Sequence, residues 1–182
     1  REIDDDERYE IDKLTFFFDA PVELHLVSIL WIMKLGYKLE SDLTEKCYGN
    51  RLILEKKKAN SSEQTLTNDS GLFKPYYKQY QKWRDEGITV AKNYLENKQD
   101  VLFINIDIKD YYYNIRLNFA DVNNRLKIEE LPELKVLNNV FITMHHIYTD
   151  KIVSVKYPNN LIKNIELDET ILPIGLASSY VL

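Results

Sequence analysis

The acidic residues best placed for chemistry are Asp107 and Asp110, in the stretch Val101–Ile115, which reads VLFINIDIKDYYYNI. Five of its first six residues are apolar, which predicts a buried strand that ends near Asp107. An ionised carboxylate at the end of a buried strand is costly unless it is paired or bound to a metal ion. Asp107 is therefore a candidate metal ligand, and the backbone carbonyl of Ile108 is a candidate second ligand, because oxygen atoms suit a hard cation.

The residues that follow Asp107 could bind a phosphorylated ligand. At Asp110 the chain must turn and expose backbone amides, and such amides can cradle phosphate oxygens. An aromatic cluster, Tyr111 to Tyr113, comes directly after this turn.

A second segment with informative spacing is Leu172–Leu182, which reads LPIGLASSYVL. Gly175 would let the backbone approach a ligand closely, because glycine carries no side chain. Ser179 would begin the following helix as an N-cap or first-turn residue. Taken alone, the segment could equally be an ordinary loop-to-helix junction.

The two segments, in this order and some 65 residues apart, resemble motifs A and B of reverse transcriptases. The second matches the pattern Leu-Pro-X-Gly-X-X-X-Ser-X-X-Leu at every fixed position, although Ile174 stands where many retroviral enzymes carry glutamine. The resemblance implies a two-ion Mg²⁺ site held by Asp107 and the carbonyl of Ile108. It also implies a nucleotide pocket formed by Asp110, Tyr111, Tyr112 and Gly175.

Tyr112 lies where these enzymes place a bulky aromatic residue beneath the sugar of the incoming nucleotide. By this resemblance Tyr112 would exclude a 2′-hydroxyl and favour deoxynucleotides, which disfavours an RNA-synthesising polymerase. The alternative is that Tyr112 is a core tyrosine.

The N-terminal half of the sequence resembles one group of reverse transcriptases in particular. The segments YGNRL (48–52) and LFKPYYKQYQKWRD (72–85) are similar to bacterial defence-associated and abortive-infection reverse transcriptases. In that family Arg51 would lie on the fingers, near the template or the triphosphate. We therefore expect an α+β fold, with an N-terminal extension and fingers in residues 1–100 and the first part of a palm in residues 101–182.

The same resemblance requires a further Asp-Asp pair beyond motif B, and the sequence ends at Leu182. Asp4, Asp5 and Asp6 lie in an acidic terminus without a strand context and cannot substitute for that pair. We expect these residues to be an N-terminal fragment of an RNA-directed or template-free DNA polymerase of anti-phage defence, inactive alone. Its expected partners are deoxynucleoside triphosphates, an RNA or DNA template and primer or a protein primer, and further copies of itself. The alternative is a catalytically inactive scaffold that binds nucleic acid or a protein through its tyrosine-rich helix.

Three helices are predicted around these segments. The first runs over Val22–Leu35, with Asp19 as its N-cap, and is apolar enough to be a core element. The second begins near Pro75, and its aromatic face, at three-to-four spacing, is either core or a nucleic-acid surface. The third is amphipathic and covers Pro132–Tyr148. A turn and short strand are expected in Cys47–Leu54, and a polar loop in Lys56–Gly71, where Lys56 to Lys58 are either solvated or contact phosphate.

Composition limits which kinds of binding site and cellular location are possible. The net charge of −5 comes from Arg1–Asp12, which carries seven acids and two bases, so it neither supports nor excludes a local basic groove. Cys47 is the only cysteine, which excludes an intrachain disulfide and a cysteine-cluster zinc site. The stretch Leu26–Met33 is too short to span a bilayer. We expect a soluble cytoplasmic protein that does not enter membranes.

Overall fold

The computed structural model describes residues 15–56, 64–66, 71–155, 162, 165–166 and 168–182. The helices are α1 (Val22–Lys34), α2 (Tyr76–Glu96), α3 (Tyr111–Asn114), α4 (Phe119–Leu126) and α5 (Lys135–Ser154). Short 3₁₀ helices cover Gly36–Asp42, Ile128–Glu130, Pro132–Leu134 and Ala177–Tyr180. The strands are β1 (Leu54–Lys56), β2 (Gln64–Leu66), β3 (Leu117–Asn118) and β4 (Glu169–Thr170). The predicted α+β class is confirmed.

The strands form two small antiparallel sheets. β1 pairs with β2, so that Leu54 lies opposite Leu66, and β3 pairs with β4, so that Leu117 lies opposite Thr170. The prediction of a loop throughout Lys56–Gly71 is wrong at β2, where backbone pairing outweighs the polar composition. The predictions for Lys57, Lys58 and Asp4 to Asp6 concern positions outside the described residues.

The main core lies between α1 and α5. The Trp31 ring stacks on Phe141 at a centroid distance of 4.2 Å, and both side chains are fully buried. The Trp31 indole Nε1 donates to Asn138 Oδ1 at 3.0 Å, which satisfies the one polar atom of the ring. A Cβ at Gly36 would lie only 2.6 Å from Trp31 Cζ3, so glycine is needed where the chain leaves α1.

The first helix forms as predicted to within one residue, but its surroundings differ from the prediction. Its N-cap is Pro21, and no side chain caps it, so the assignment of Asp19 as the N-cap is wrong. One face is exposed: Val22, Leu26, Leu30 and Met33 all lie in solvent. The apolar composition of α1 therefore overstates how much of the helix is buried. Among the described residues, no helix is long and apolar enough to cross a bilayer.

The third predicted helix is also present, as α5 and the preceding 3₁₀ turn. The predicted apolar face is confirmed, since Phe141, Met144 and Tyr148 are all buried. The helix continues to Ser154, so His145 lies in its middle.

His145 is enclosed by aromatic rings. Its ring centroid lies 4.4 Å from that of Phe141 and 5.2 Å from that of Phe119. Its Nδ1 lies 2.9 Å from the Phe141 carbonyl oxygen and donates to it, whereas Nε2 has no partner in the described residues. Burial lowers the pKa of His145 from its usual 6.5 to about 4.

We expect this buried histidine to make the stability of the protein depend on pH. The folded state holds the ring neutral, while the unfolded state takes up a proton below pH 6.5. The free energy of unfolding is therefore unaffected by this group above pH 6.5. It falls by about 3 kcal/mol as the pH drops to about 4. Urea unfolding between pH 7 and pH 4 should show a shallower pH dependence in His145→Leu than in the wild type. Met144→Leu, at the neighbouring buried position, should keep the wild-type slope; an unchanged slope in His145→Leu would contradict the assignment.

Candidate functional site

The segment that leads to Asp107 has no regular secondary structure and pairs with no strand among the described residues. Its apolar side chains face solvent, with Leu102 84% exposed, Ile104 75% and Ile106 83%. The prediction of a buried strand is therefore wrong, because burial requires a partner surface and the two described sheets lie elsewhere. Asp107 is exposed as well, so the desolvation argument for a bound metal no longer applies to it, and its role as a ligand stays a prediction.

The turn after Asp107 is present as predicted. Asp110 adopts a left-handed conformation, with φ 51° and ψ 45°, which short polar side chains tolerate better than most. Its carbonyl accepts from the amides of Tyr113 at 2.9 Å and Asn114 at 3.1 Å, which starts α3. The Asn114 amide group donates to the Lys109 carbonyl at 2.7 Å and closes the turn.

The three consecutive tyrosines have different surroundings. Tyr113 is buried, and its hydroxyl accepts from the backbone amide of Phe16 at 2.6 Å, so this residue is structural. Tyr111 is exposed and packs edge to face on Tyr112 at 5.4 Å. Tyr112 is half-buried against the main core, and this burial raises the pKa of its hydroxyl.

The structure brings the two motif-like segments together. The amide of Leu172 donates to the carbonyl of Tyr112 at 3.2 Å, across 60 residues of sequence. The amide of Phe18 donates to the Ile174 carbonyl at 2.8 Å, so the N-terminal segment lies against the same junction. Tyr112 and Leu172, one from each motif-like segment, are thus neighbours in space.

Gly175 occupies a conformation that favours glycine. Its φ is +106°, which side-chain-bearing residues rarely adopt. The nearest atom to a Cβ placed there would be the Phe18 carbonyl oxygen at 3.7 Å, so the constraint comes from the backbone and not from lack of space. Ser179 lies in the first turn of the 3₁₀ helix Ala177–Tyr180, one of its two predicted positions, and its hydroxyl donates to the Pro173 carbonyl at 2.5 Å.

A buried serine pair connects the second segment to α1. The Ser28 hydroxyl donates to Ser178 Oγ at 2.9 Å and accepts from the Ser178 amide at 3.0 Å. Both side chains are fully buried. Neither serine is among the residues predicted to be functional. Ser28 is, however, the one polar residue in the apolar stretch Leu26–Met33, and a lone hydroxyl in such a stretch needs a buried partner.

Arg51 is hydrogen-bonded to neighbouring residues of the protein itself. Its Nε donates to Glu40 Oε1 in an ion pair, and its Nη1 donates to the carbonyls of Thr44 at 2.9 Å and Cys47 at 2.8 Å. The other Glu40 oxygen accepts from the Leu52 amide at 3.0 Å. These contacts hold the 44–52 loop on the 3₁₀ helix that follows α1. A nucleotide contact by Arg51 stays a prediction, and its pairing with Glu40 was not predicted from the sequence.

The aromatic face of α2 is exposed. Ala91 is the one buried residue of the helix. Of the two interpretations left open for this face, burial in the core is wrong, because its rings lie in solvent. Residues of the 44–50 loop lie along one side of this aromatic face. Lys46 Nζ lies 2.9 Å from Glu86 Oε2, and the Tyr48 hydroxyl donates to the same oxygen. These two contacts lower the pKa of Glu86.

No protein-family model, curated protein or solved structure matches this chain. The reverse-transcriptase interpretation therefore rests on the motif-like segments and on the geometry that joins them.

Proposed function

We propose that this chain contributes the fingers and the first part of the palm of a reverse-transcriptase-type DNA polymerase, RNA-directed or template-free, that acts in anti-phage defence. The observation that supports the proposal best is the hydrogen bond from the Leu172 amide to the Tyr112 carbonyl. It makes two segments that resemble motifs A and B neighbours in space.

In this proposal Asp107 and the Ile108 carbonyl hold Mg²⁺. The donor chemistry fits, because Mg²⁺ takes oxygen ligands and binds proteins through one or two carboxylates while keeping several waters. Within the described part of the chain, no three His, Cys, Asp or Glu side chains form a cluster, so a two-ion site needs further carboxylates. When bound, the ions align the attacking hydroxyl and neutralise phosphate charge.

The remaining roles are those that the resemblance implies. The Asp110 turn lies beside the triphosphate, and Gly175 lets the backbone approach the nucleotide. Tyr111 and Tyr112 border the sugar, with Tyr112 fixed by its packing on the core. Arg51 acts indirectly, by holding the 44–52 loop in place.

The proposal is tested with the longest natural polypeptide that contains this chain. We expect incorporation of labelled deoxynucleotides that requires Mg²⁺, with an added template and primer or without either. Absence of incorporation under all of these conditions, by a protein that is folded by circular dichroism, would contradict the proposal.

Tyr112→Ala is expected to weaken discrimination against ribonucleotides. The reason is steric, because the ring occupies the space that a 2′-hydroxyl would need. The ratio of kcat/KM for a deoxynucleotide to that for the matching ribonucleotide should fall on the order of tenfold or more. Tyr112→Phe keeps the ring and should keep the wild-type ratio. An equal ratio in all three proteins would exclude Tyr112 as the sugar gate.

A catalytically inactive scaffold is the second candidate function. It is favoured by the exposed aromatic face of α2, which lies outside the proposed nucleotide site and is suited to binding a partner. Absence of incorporation together with retained partner binding would support it over the polymerase.

A further inference from the structure

The exposed face of α2 carries a row of aromatic rings at its N-terminal end. Tyr76, Tyr80 and Trp83 are each about half or more exposed. The Tyr76 and Tyr80 rings stack at a centroid distance of 6.3 Å, and the Tyr80 and Trp83 rings lie 5.6 Å apart. We call these three residues the aromatic ladder. Its rings contact one another while their outer surfaces remain in solvent.

A cleft of about 360 Å³ runs along the ladder, and its other lining residues are Lys46, Tyr48 and Gly49. The Lys46 and Tyr48 side chains are held in position by Glu86. Lys82 Nζ lies over the Tyr48 ring, 5.8 Å from its centroid. The cleft therefore has an aromatic floor and a cationic side wall.

The charge of this region differs from that of the whole chain. Residues 71–84 contain four cations, Lys74, Lys78, Lys82 and Arg84, and no acid, although the net charge of the protein is −5. Successive helical residues are about 100° apart, so Lys82 and Arg84 lie on opposite flanks of Trp83. Among the described residues, Asp85 binds Arg84 at 2.8 Å, and Glu86 binds Lys46 and Lys82.

We propose that the aromatic ladder and its cleft bind single-stranded nucleic acid. Successive bases would stack on Tyr76, Tyr80 and Trp83, and the flanking cations would contact the phosphates. Stacking of this kind is tolerant of sequence, since every base has a π face, and it requires bases that are not paired in a duplex. A protein partner would also cover the rings, but it would not account for the four cations that residues 71–84 carry beside them.

The ladder shares no residue with the proposed nucleotide site. The inference rests on the proposed function only in that both involve nucleic acid. Binding to the ladder and incorporation of nucleotides can therefore be measured separately. Loss of binding with intact incorporation of nucleotides would overturn the ladder alone, whereas binding by a protein that never incorporates nucleotides would overturn the polymerase alone.

The test measures fluorescence anisotropy of the full 182-residue chain with labelled oligo(dT) and oligo(rU) of about 20 nucleotides and with a duplex of equal length. We expect tighter binding of either single strand than of the duplex. Tyr80→Ala and Trp83→Ala should each weaken it about tenfold. Both side chains are half exposed, so the variants should fold, which circular dichroism would verify. Tyr77→Ala, an exposed tyrosine of the same helix outside the ladder, should bind like the wild type.

The cations are tested by charge reversal. Lys78→Glu combined with Lys82→Glu should weaken binding and reduce the slope of log affinity against log salt by about two. Lys92→Glu, in the C-terminal half of the same helix, should do neither. The proposal is overturned if the wild type binds no single strand at low salt, if the duplex binds as tightly, or if the Tyr80 and Trp83 variants match Tyr77→Ala.

Discussion

Asp107→Ala is expected to reduce Mg²⁺-dependent incorporation of deoxynucleotides by about 10³-fold or more in the natural polypeptide that contains this chain. A metal ion that stabilises transferring phosphate contributes several kcal/mol to lowering the barrier, and each 1.36 kcal/mol is a factor of ten in rate. Asp107→Asn keeps the shape of the side chain but removes its charge, and it should lose activity to a similar extent. The measurement is the initial rate of incorporation at saturating Mg²⁺.

The matched control is Asp100→Ala, which removes an exposed aspartate seven residues earlier in the sequence. It should retain wild-type activity. Because Asp107 is exposed, neither Asp107 substitution should lower the free energy of unfolding. Retention of activity by Asp107→Ala would remove the proposed metal ligand.

Glu40→Ala is expected to lower the free energy of unfolding by about 3–5 kcal/mol. The Glu40 side chain is only 6% exposed and that of Arg51 only 13%. Removing the carboxylate would leave the Arg51 guanidinium buried without its counter-charge and the Leu52 amide without its acceptor. Urea unfolding monitored by circular dichroism measures the change.

Two variants make this result specific. Glu129→Ala breaks the exposed pair between Lys135 and Glu129, in which Glu129 is 89% exposed, and should cost less than about 1 kcal/mol. Replacing Glu40 and Arg51 together with leucine should cost less than Glu40→Ala, because no buried charge is left behind. A cost for Glu40→Ala as small as that of Glu129→Ala would show that the pair does not stabilise the fold.

The Glu40–Arg51 pair affects how any Arg51 variant is interpreted. Arg51 holds the 44–52 loop through Glu40 and the carbonyls of Thr44 and Cys47. Lys46 and Tyr48 of this loop line the cleft beside the aromatic ladder. Loss of nucleic-acid binding in Arg51→Ala would therefore follow from displacement of the loop, without a direct contact between Arg51 and the ligand.

The sequence predicted the elements whose signals are local. Three-to-four spacing located α2 and α5, and Pro75 marked the start of α2, because proline lacks the amide that a helix interior uses. The turn at Asp110 was also predictable, since it depends on backbone conformation within a few residues. These features need no knowledge of distant contacts.

Predictions from the sequence were wrong or incomplete where burial or pairing depends on a partner surface. An apolar run predicts burial, but Leu102 and Ile106 are exposed because no described strand lies beside them. The aromatic face of α2 could not be assigned to core or solvent from its spacing, which is the same in both cases. The Glu40–Arg51 pair and the Ser28–Ser178 pair depend on where other elements pack.

For the candidate site, the sequence by itself determined the residue types and one local turn: Asp107 ahead of the turn, three tyrosines after it, and a glycine at position 175. Only the tertiary structure decided that Tyr112 and Leu172 are hydrogen-bonded neighbours, that Arg51 is paired with Glu40, and that the ladder on α2 faces solvent. The physical reason is that backbone conformation depends on adjacent residues, whereas burial and pairing depend on which surfaces meet after folding.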